Sequence, residues 1–358
     1  MTQPKLFTEY KLRGITLPNR IVVSPMSMYD STADGLPTHW HDMHYGNLAI
    51  SGTGMVVLEA TYVSEFSRST PGDLGLWSQA QADALAALIN RWRPQAKSKF
   101  GIQISHAGRK GATAVAWHPE DVPDWPVLGP SSEPFTKDSR TPEAMTLTNI
   151  KEVIADFAHS AQLAGGAGFD YLELHAGHGY LLHNFLSPLS NTRTDEYGGS
   201  LDNRMRLLLE VCAAVRTVWP DDRILGVRLS TTDWIEGGWD LEHSILLTRR
   251  LKELGCDLVT ASTGGLSLQQ VIPRGPGYQA PFAASLRNAT DMPTLALGMI
   301  SDPALAEYLL VGEQADLIGL GRAMLYDPRW AWHAAKQLGA RPDFPPHYER
   351  AIREHHRI

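Results

Sequence analysis

Residues 175–180 read HAGHGY, two histidines three apart with a tyrosine two further on. Imidazoles so spaced can hold a metal, move protons, grip an anion or cap a loop. Zinc would ask for a third ligand, His106 or His183. The expected strand ends offer Glu59 as their one carboxylate and no early strand carries HxH, so no metal site is expected. A phenol of ordinary pKa, near 10, stays protonated at neutral pH and suits a proton donor. Other groups with chemical potential lie far off in sequence. Gln103 sits in FGIQIS and Arg228 in ILGVRL, and the pairs Gly298-Met299 and Gly321-Arg322 end two late apolar runs. A buried guanidinium left unpaired is costly. Arg228 should therefore face an anion or an electron-rich ligand atom, with an ion pair to Glu59 as the alternative.

Groups so scattered meet only if the fold gathers them. Eight short apolar runs recur at 21–26, 55–60, 100–105, 171–176, 224–229, 257–262, 294–299 and 316–321. Between them lie amphipathic stretches such as QADALAALINRW (81–92) and NRMRLLLEVCAAVRTVW (203–219). Near-continuous apolar strands alternating with helices indicate a parallel sheet covered on its outside. Eight such units fit a (β/α)8 TIM barrel. A doubly wound dinucleotide fold would carry GxGxxG after its first strand, and SMYDSTADG follows here instead. KLFTEYKLRGITLPN reads as a hairpin closing the barrel bottom. The connection 109–145, rich in Pro, Ser and Asp, reads as a functional loop after the third strand that covers the top or rim.

With 358 residues, 43% hydrophobic, the chain can bury a large core as one domain spanning 1–358. A net charge of −7 provides no basic field for nucleic acid. The N-terminus lacks an apolar signal core and no run approaches a bilayer span, so no membrane partner and a cytoplasmic location are expected. Of the two cysteines, Cys212 sits in a stretch of helical period and Cys256 follows KELG at a helix end, and they suggest neither a disulfide nor a reactive thiol. They are also too few for a four-cysteine iron–sulfur cluster.

In such a barrel, chemistry gathers at the C-terminal strand ends, and loops after the last two strands commonly cradle phosphate. Gly298 and Met299, then Gly321 and Arg322, stand there, with Arg322 able to grip an anion in bidentate fashion. Arg228 in the fifth strand and the Gln103 amide in the third would meet an electron-rich ring edge. Flavin mononucleotide has that shape, a phosphate at one end and a pyrimidine that gains charge on reduction. A phosphosugar would satisfy the phosphate half equally well.

SPMSMY (24–29), GIQISHAGRK (101–110), HAGHGYLLHNFLSPLSNTRTDEYGGSLDNR (175–204) and LIGLGRAMLYDP (317–328) together resemble the old yellow enzymes, most closely their thermophilic-like bacterial ene-reductases. The resemblance runs from about residue 5 to 350. It implies FMN contacts from Pro25, Met26, Ala60, Gln103, Arg228, Gly298, Met299, Gly321 and Arg322. It gives His175 and His178 to the substrate's electron-withdrawing group, Tyr180 to proton donation and Tyr29 to substrate contact. Ser27 stands beside the expected flavin where that subgroup has cysteine. Arg350, in the tail at about 340–358, would reach a neighbouring subunit's site in a homodimer or homotetramer. The implied reaction is ping-pong reduction of electron-poor alkenes with NADPH or NADH. Other flavin chemistry on the same scaffold is the alternative: oxidative demethylation, dehydrogenation or reduction of a larger conjugated thioester. A flavin-free isomerase or lyase, or a non-catalytic binding protein, lies further off.

Overall fold

The computed structural model describes residues 3–355; residues 1–2, and 356–358 at the end of the expected intersubunit tail, lie outside the described residues. All eight apolar runs form strands. They are β1 (Ile21–Val23), β2 (Met55–Tyr62), β3 (Lys99–Ser105), β4 (Tyr171–Ala176), β5 (Ile224–Ser230), β6 (Leu258–Ser262), β7 (Thr294–Ala296) and β8 (Leu317–Leu320). They close into one parallel barrel in chain order, β8 pairing back onto β1. Three strands stop short of their runs. Pro25 has no N–H to continue a ladder, and Gly298 and Gly321 lie in the turns beyond β7 and β8.

Alternation along each strand sends one face outward against helices and the other into the barrel. Val56, Leu58, Ile102, Leu172 and Val227 join the helices in the outer core. Several of the helices begin where short polar side chains accept the orphan N–H groups of a first turn. Ser78 accepts from Gln81, Thr146 from Asn149, Ser200 from Asn203 and Asp240 from His243. Inside, Val22, Met55, Val57, Tyr171, Ile224, Leu258, Leu295 and Leu317 form a separate apolar plug. The strands Tyr10–Leu12 and Ile15–Leu17 pair antiparallel, and Leu17 is buried in that plug with Tyr10, Leu12 and Ile15 packed against it. The hairpin therefore closes the bottom, as the sequence suggests.

β2 slips register against β3 between Leu58 and Ala60. The extra residue is Glu59, and it reverses the alternation beyond it. Ala60 and Tyr62 then pack with Ala107 and Tyr180 at the top of the barrel. The connection after β3 lies over the same end. Lys110 donates to the carbonyls of His178 and Gly265, Arg109 to that of Leu266, and Trp117 meets Tyr29 edge-on with ring centroids 5.9 Å apart. Val127 and Trp125 form a small core with Ala112 beneath it.

Candidate active site

A cavity of about 610 Å³ opens at the C-terminal ends of β1 and β5–β8. It brings together eight of the residues singled out from sequence: Pro25, Met26, His178, Arg228, Gly298, Met299, Gly321 and Arg322. Ala60 and Gln103 do not line it. They pair across the β2–β3 ladder, with Gln103 only 2% exposed. Ser27 and Tyr29 follow Met26 on the loop after β1, whose Met28 N–H donates to Glu59 Oε2 at 2.7 Å. The other Glu59 oxygen accepts from Tyr45 and lies 3.2 Å from His41 Nε2. Glu59 thus anchors the loop and is not the partner of Arg228.

The Arg228 guanidinium makes no hydrogen bond among the described residues, and its Nε is sealed from solvent without a partner. Burial pushes its pKa down, with the Glu173 charge opposing that shift. An uncommitted cation at a cavity wall fits a ligand that carries or gains negative charge. At the far end Gly298 holds φ +108°, a conformation side chains rarely adopt, and a Cβ there would come within 3.0 Å of Gln279. Arg322 is exposed beside it with no ion pair among the described residues. Cation, bare backbone turn and second cation span the cavity as a phosphate-bearing flavin requires, so the residues present fit FMN.

Of HAGHGY only His178 lines this cavity; His175 and Tyr180 are not in its lining. His178 sits at φ +56°, held there by its N–H to Ser230 Oγ at 2.8 Å and its carbonyl to Lys110. Backbone strain of this kind persists only where surrounding bonds fix it. His175 Nε2 and His178 Nδ1 lie 2.8 Å apart, His178 Nε2 meets Ser262 Oγ at 2.7 Å, and His175 Nδ1 meets Ser105 Oγ at 3.3 Å. The two imidazoles therefore bond to each other rather than pointing apart into the cavity. Burial, followed by the Arg228 charge, pushes both pKa values well below the ordinary range. They are neutral rings, each with one N–H to give.

Tyr180 packs against His175 with ring centroids 4.6 Å apart. Burial, then the neighbouring Tyr29 and Asp73, raise its phenol to about 12, with Ser69 and Tyr62 opposing. Burial and Asp73 also raise Tyr29, and the Ser27 side chain partly opposes the shift. His183 is committed elsewhere. Its Nδ1 accepts from Gly179 N–H and its Nε2 lies 2.9 Å from Asp233 Oδ1, which pins the HAGHGY loop from below. His106 Nδ1 likewise accepts from Gly108 N–H.

Arg350 lies exposed on the terminal helix Glu349–His355. The segment leading to it runs along the bottom rim, where Asp343 pairs with Lys97 ahead of β3 and a cavity separates it from Phe7 and Asn19. Arg350 is thus remote from His175 of its own chain. The sequence reading missed Glu173, which sits between Tyr171 and His175 and is 2% exposed. Its parity with His175 was the available signal, since alternate residues of a strand share a face. It also missed Lys110, whose pKa burial and Arg109 push down to about 8, while Ser262, at the end of the run 257–262, holds His178.

The family model described as NADH:flavin oxidoreductase / NADH oxidase matches residues 5–340. The chain is 44% identical to an NADPH dehydrogenase of Listeria monocytogenes serotype 4a (strain HCC23), over 97% of this chain and 99% of that protein. Among solved structures it resembles 2-naphthoyl-CoA reductase in complex with 2-naphthoyl-CoA, with a TM-score of 0.84 and 26% identity. That match covers 94% of this chain but 52% of the other. It also resembles morphinone reductase, with a TM-score of 0.78 and 27% identity over 96% and 91%.

Proposed function

The chain belongs to the NADH:flavin oxidoreductase / NADH oxidase family, the old yellow enzymes, and on that footing we propose that it reduces the carbon–carbon double bond of electron-poor alkenes. Its cofactor is FMN and its hydride donor a reduced nicotinamide, NADPH or NADH. When bound, FMN supplies the hydride taken from that donor. Arg228 and Gln103 hold the pyrimidine end, Met26 and Ala60 the ring, and Gly298, Met299, Gly321 and Arg322 the phosphate end. The substrates are α,β-unsaturated carbonyls, nitroalkenes and maleimides, and residues 1–358 act as one FMN-binding domain.

The observation that carries this reading is the neutral His175–His178 pair beside Tyr180. A carbonyl or nitro oxygen entering between the rings takes the N–H that makes the 2.8 Å His–His bond, and a second N–H once the other ring carries its proton on the facing nitrogen. Those donors stabilise the charge that develops on that oxygen as the β-carbon is reduced. Because neither ring is an imidazolium, neither surrenders its proton to that oxygen. Tyr180, with a pKa of about 12, stays protonated until a strongly basic α-carbon forms beside it. Ser27 puts a smaller, less polarizable hydroxyl where related enzymes carry a thiol, and shifts the flavin potential accordingly. Tyr29 and Trp117 close the far side of the mouth, and Arg350 of a second copy completes it in a homodimer or homotetramer.

Anaerobic reduction of the yellow protein by NADPH or NADH, followed by addition of cyclohexenone, maleimide or a nitroalkene, tests the reading. Rapid reoxidation is expected; failure of every alkene to outpace buffer refutes it. The likeness to 2-naphthoyl-CoA reductase favours a second reading, reduction of a larger conjugated thioester. Reoxidation by an aryl thioester and by no small alkene would select it. Oxidative demethylation and dehydrogenation send electrons the other way, so anaerobic bleaching of the oxidised flavin by an amine or methylated substrate, with no nicotinamide added, would select the other flavin chemistries.

A further inference from the structure

Beneath Arg228 the barrel holds a carboxylate to which the proposed reaction gives no task. Glu173 accepts hydrogen bonds from three different side chains: Gln103 Nε2 at 2.7 Å, Tyr171 Oη at 2.8 Å and Thr260 Oγ1 at 2.5 Å. The donors come from β3, β4 and β6, so the contact knits half the barrel together. Register sets it up. Glu173 stands opposite Gln103 on one side and Gly226 on the other. A Cβ at Gly226 would lie 2.4 Å from Tyr171 Oη. The absent side chain is what lets the phenol reach the carboxylate. Two ladder positions nearer the mouth, Arg228 pairs with His175 and Thr260.

A carboxylate with three donors has only acceptors to offer. Gln103 can meet it only through its NH2, which turns Oε1 the other way. That oxygen has no hydrogen-bond partner among the described residues, in a side chain 2% exposed. We propose that Glu173 is a positioning residue for the flavin: it locks the Gln103 amide so that Oε1 awaits the N3–H of the isoalloxazine, and its charge offsets that of Arg228, lowering the reduction potential. The lock makes the site read the pyrimidine edge as a donor, while the offset limits how far Arg228 favours the anionic reduced ring. Both consequences need only FMN binding, not the alkene substrate.

The test uses the full chain reconstituted with FMN or with 3-methyl-FMN, whose N3 cannot donate. The native chain is expected to bind 3-methyl-FMN at least about tenfold more weakly than FMN, the effect of one orphaned buried acceptor. In Glu173→Gln the new amide offers either end, so Gln103 turns freely; the ratio should fall below about threefold, and the midpoint potential should move positive. An unchanged ratio or an unchanged potential in a folded Glu173→Gln chain overturns the proposal. Thr260→Val serves if that chain does not fold, since it strips one donor from the carboxylate and keeps its charge. Its potential should move negative with the ratio kept, and an unmoved potential again overturns the proposal. None of these readouts uses an alkene, so failure here and failure of the alkene-reductase reading are separable.

Discussion

Acidifying the flavin-free chain from pH 7.5 to 5.5 should cost it a large share of its stability, because four imidazoles are held neutral inside the fold. Burial lowers His106 to about 3, and burial followed by His41 lowers His44 to about 4. Burial and Arg228 carry His175 and His178 well below 6.5. A histidine whose folded pKa is depressed leaves the unfolded chain to take the proton first. Its stability contribution is whole above the unfolded value of 6.5 and drains away as pH falls from there toward the folded value. The four together lose about 5–6 kcal/mol over this interval. Asp73 works the other way, raised by burial to about 7. Its folded carboxyl takes a proton before the unfolded one does and returns about 2 kcal/mol over the same interval. The net loss is about 3–4 kcal/mol, read as a fall in unfolding free energy from urea denaturation at the two pH values. The variant with both His175→Ala and His178→Ala should lose only about 1 kcal/mol over the same interval. A loss below about 1 kcal/mol in the native chain, or equal pH sensitivity in the double variant, refutes the reasoning.

Three further outcomes follow from particular contacts. Gly226→Ala drives a methyl onto Tyr171 Oη and should destabilise the chain by about 2–4 kcal/mol in urea denaturation, with the Glu173 contact broken. Arg228→Met should weaken FMN binding at least about tenfold, measured by quenching of flavin fluorescence, because the cavity loses its one uncommitted charge at the ring end. Arg350→Ala should lower kcat/KM for alkenes. Mixing it with inactive His175→Ala chains should restore activity, since each hybrid site then joins an intact histidine pair to an intact arginine; no recovery on mixing would place Arg350 outside the site.

The barrel was legible because a parallel strand buried on both faces must be apolar throughout, and eight such runs punctuated by amphipathic stretches admit few other arrangements. The strand-end residues were legible for the same reason: once the fold is known, the end of each run points to the mouth. What stayed hidden depends on contacts no local pattern encodes. The slip at Glu59 inverts the alternation of β2, so Ala60 faces inward where an uninterrupted strand would face it outward. Trp117 reaches Tyr29 across 88 positions of chain, and nothing in either neighbourhood announces it. The mutual His175–His178 bond was equally unreadable, since sequence places both rings at one strand end without saying that their nitrogens meet.

Glu173 is the instructive miss. An acid among aliphatic residues of a central strand reads as an exposed position or a break in the pattern, and YLELHA permits either. Its neighbours at two residues' distance, Tyr171 below and His175 above, show that it faces the barrel axis. The interior is therefore layered by height: an apolar plug over the hairpin, then Glu173 with its donors, then Arg228 and the histidines at the mouth. A fully apolar interior of similar volume would be at least as stable, since buried charges seldom improve on well-packed hydrophobic groups. The polar layers lie only where the strands turn toward the cavity. Their placement follows the ligand's demands rather than those of the fold, and the uncommitted Arg228 at their top is the clearest sign that the arrangement awaits a bound group.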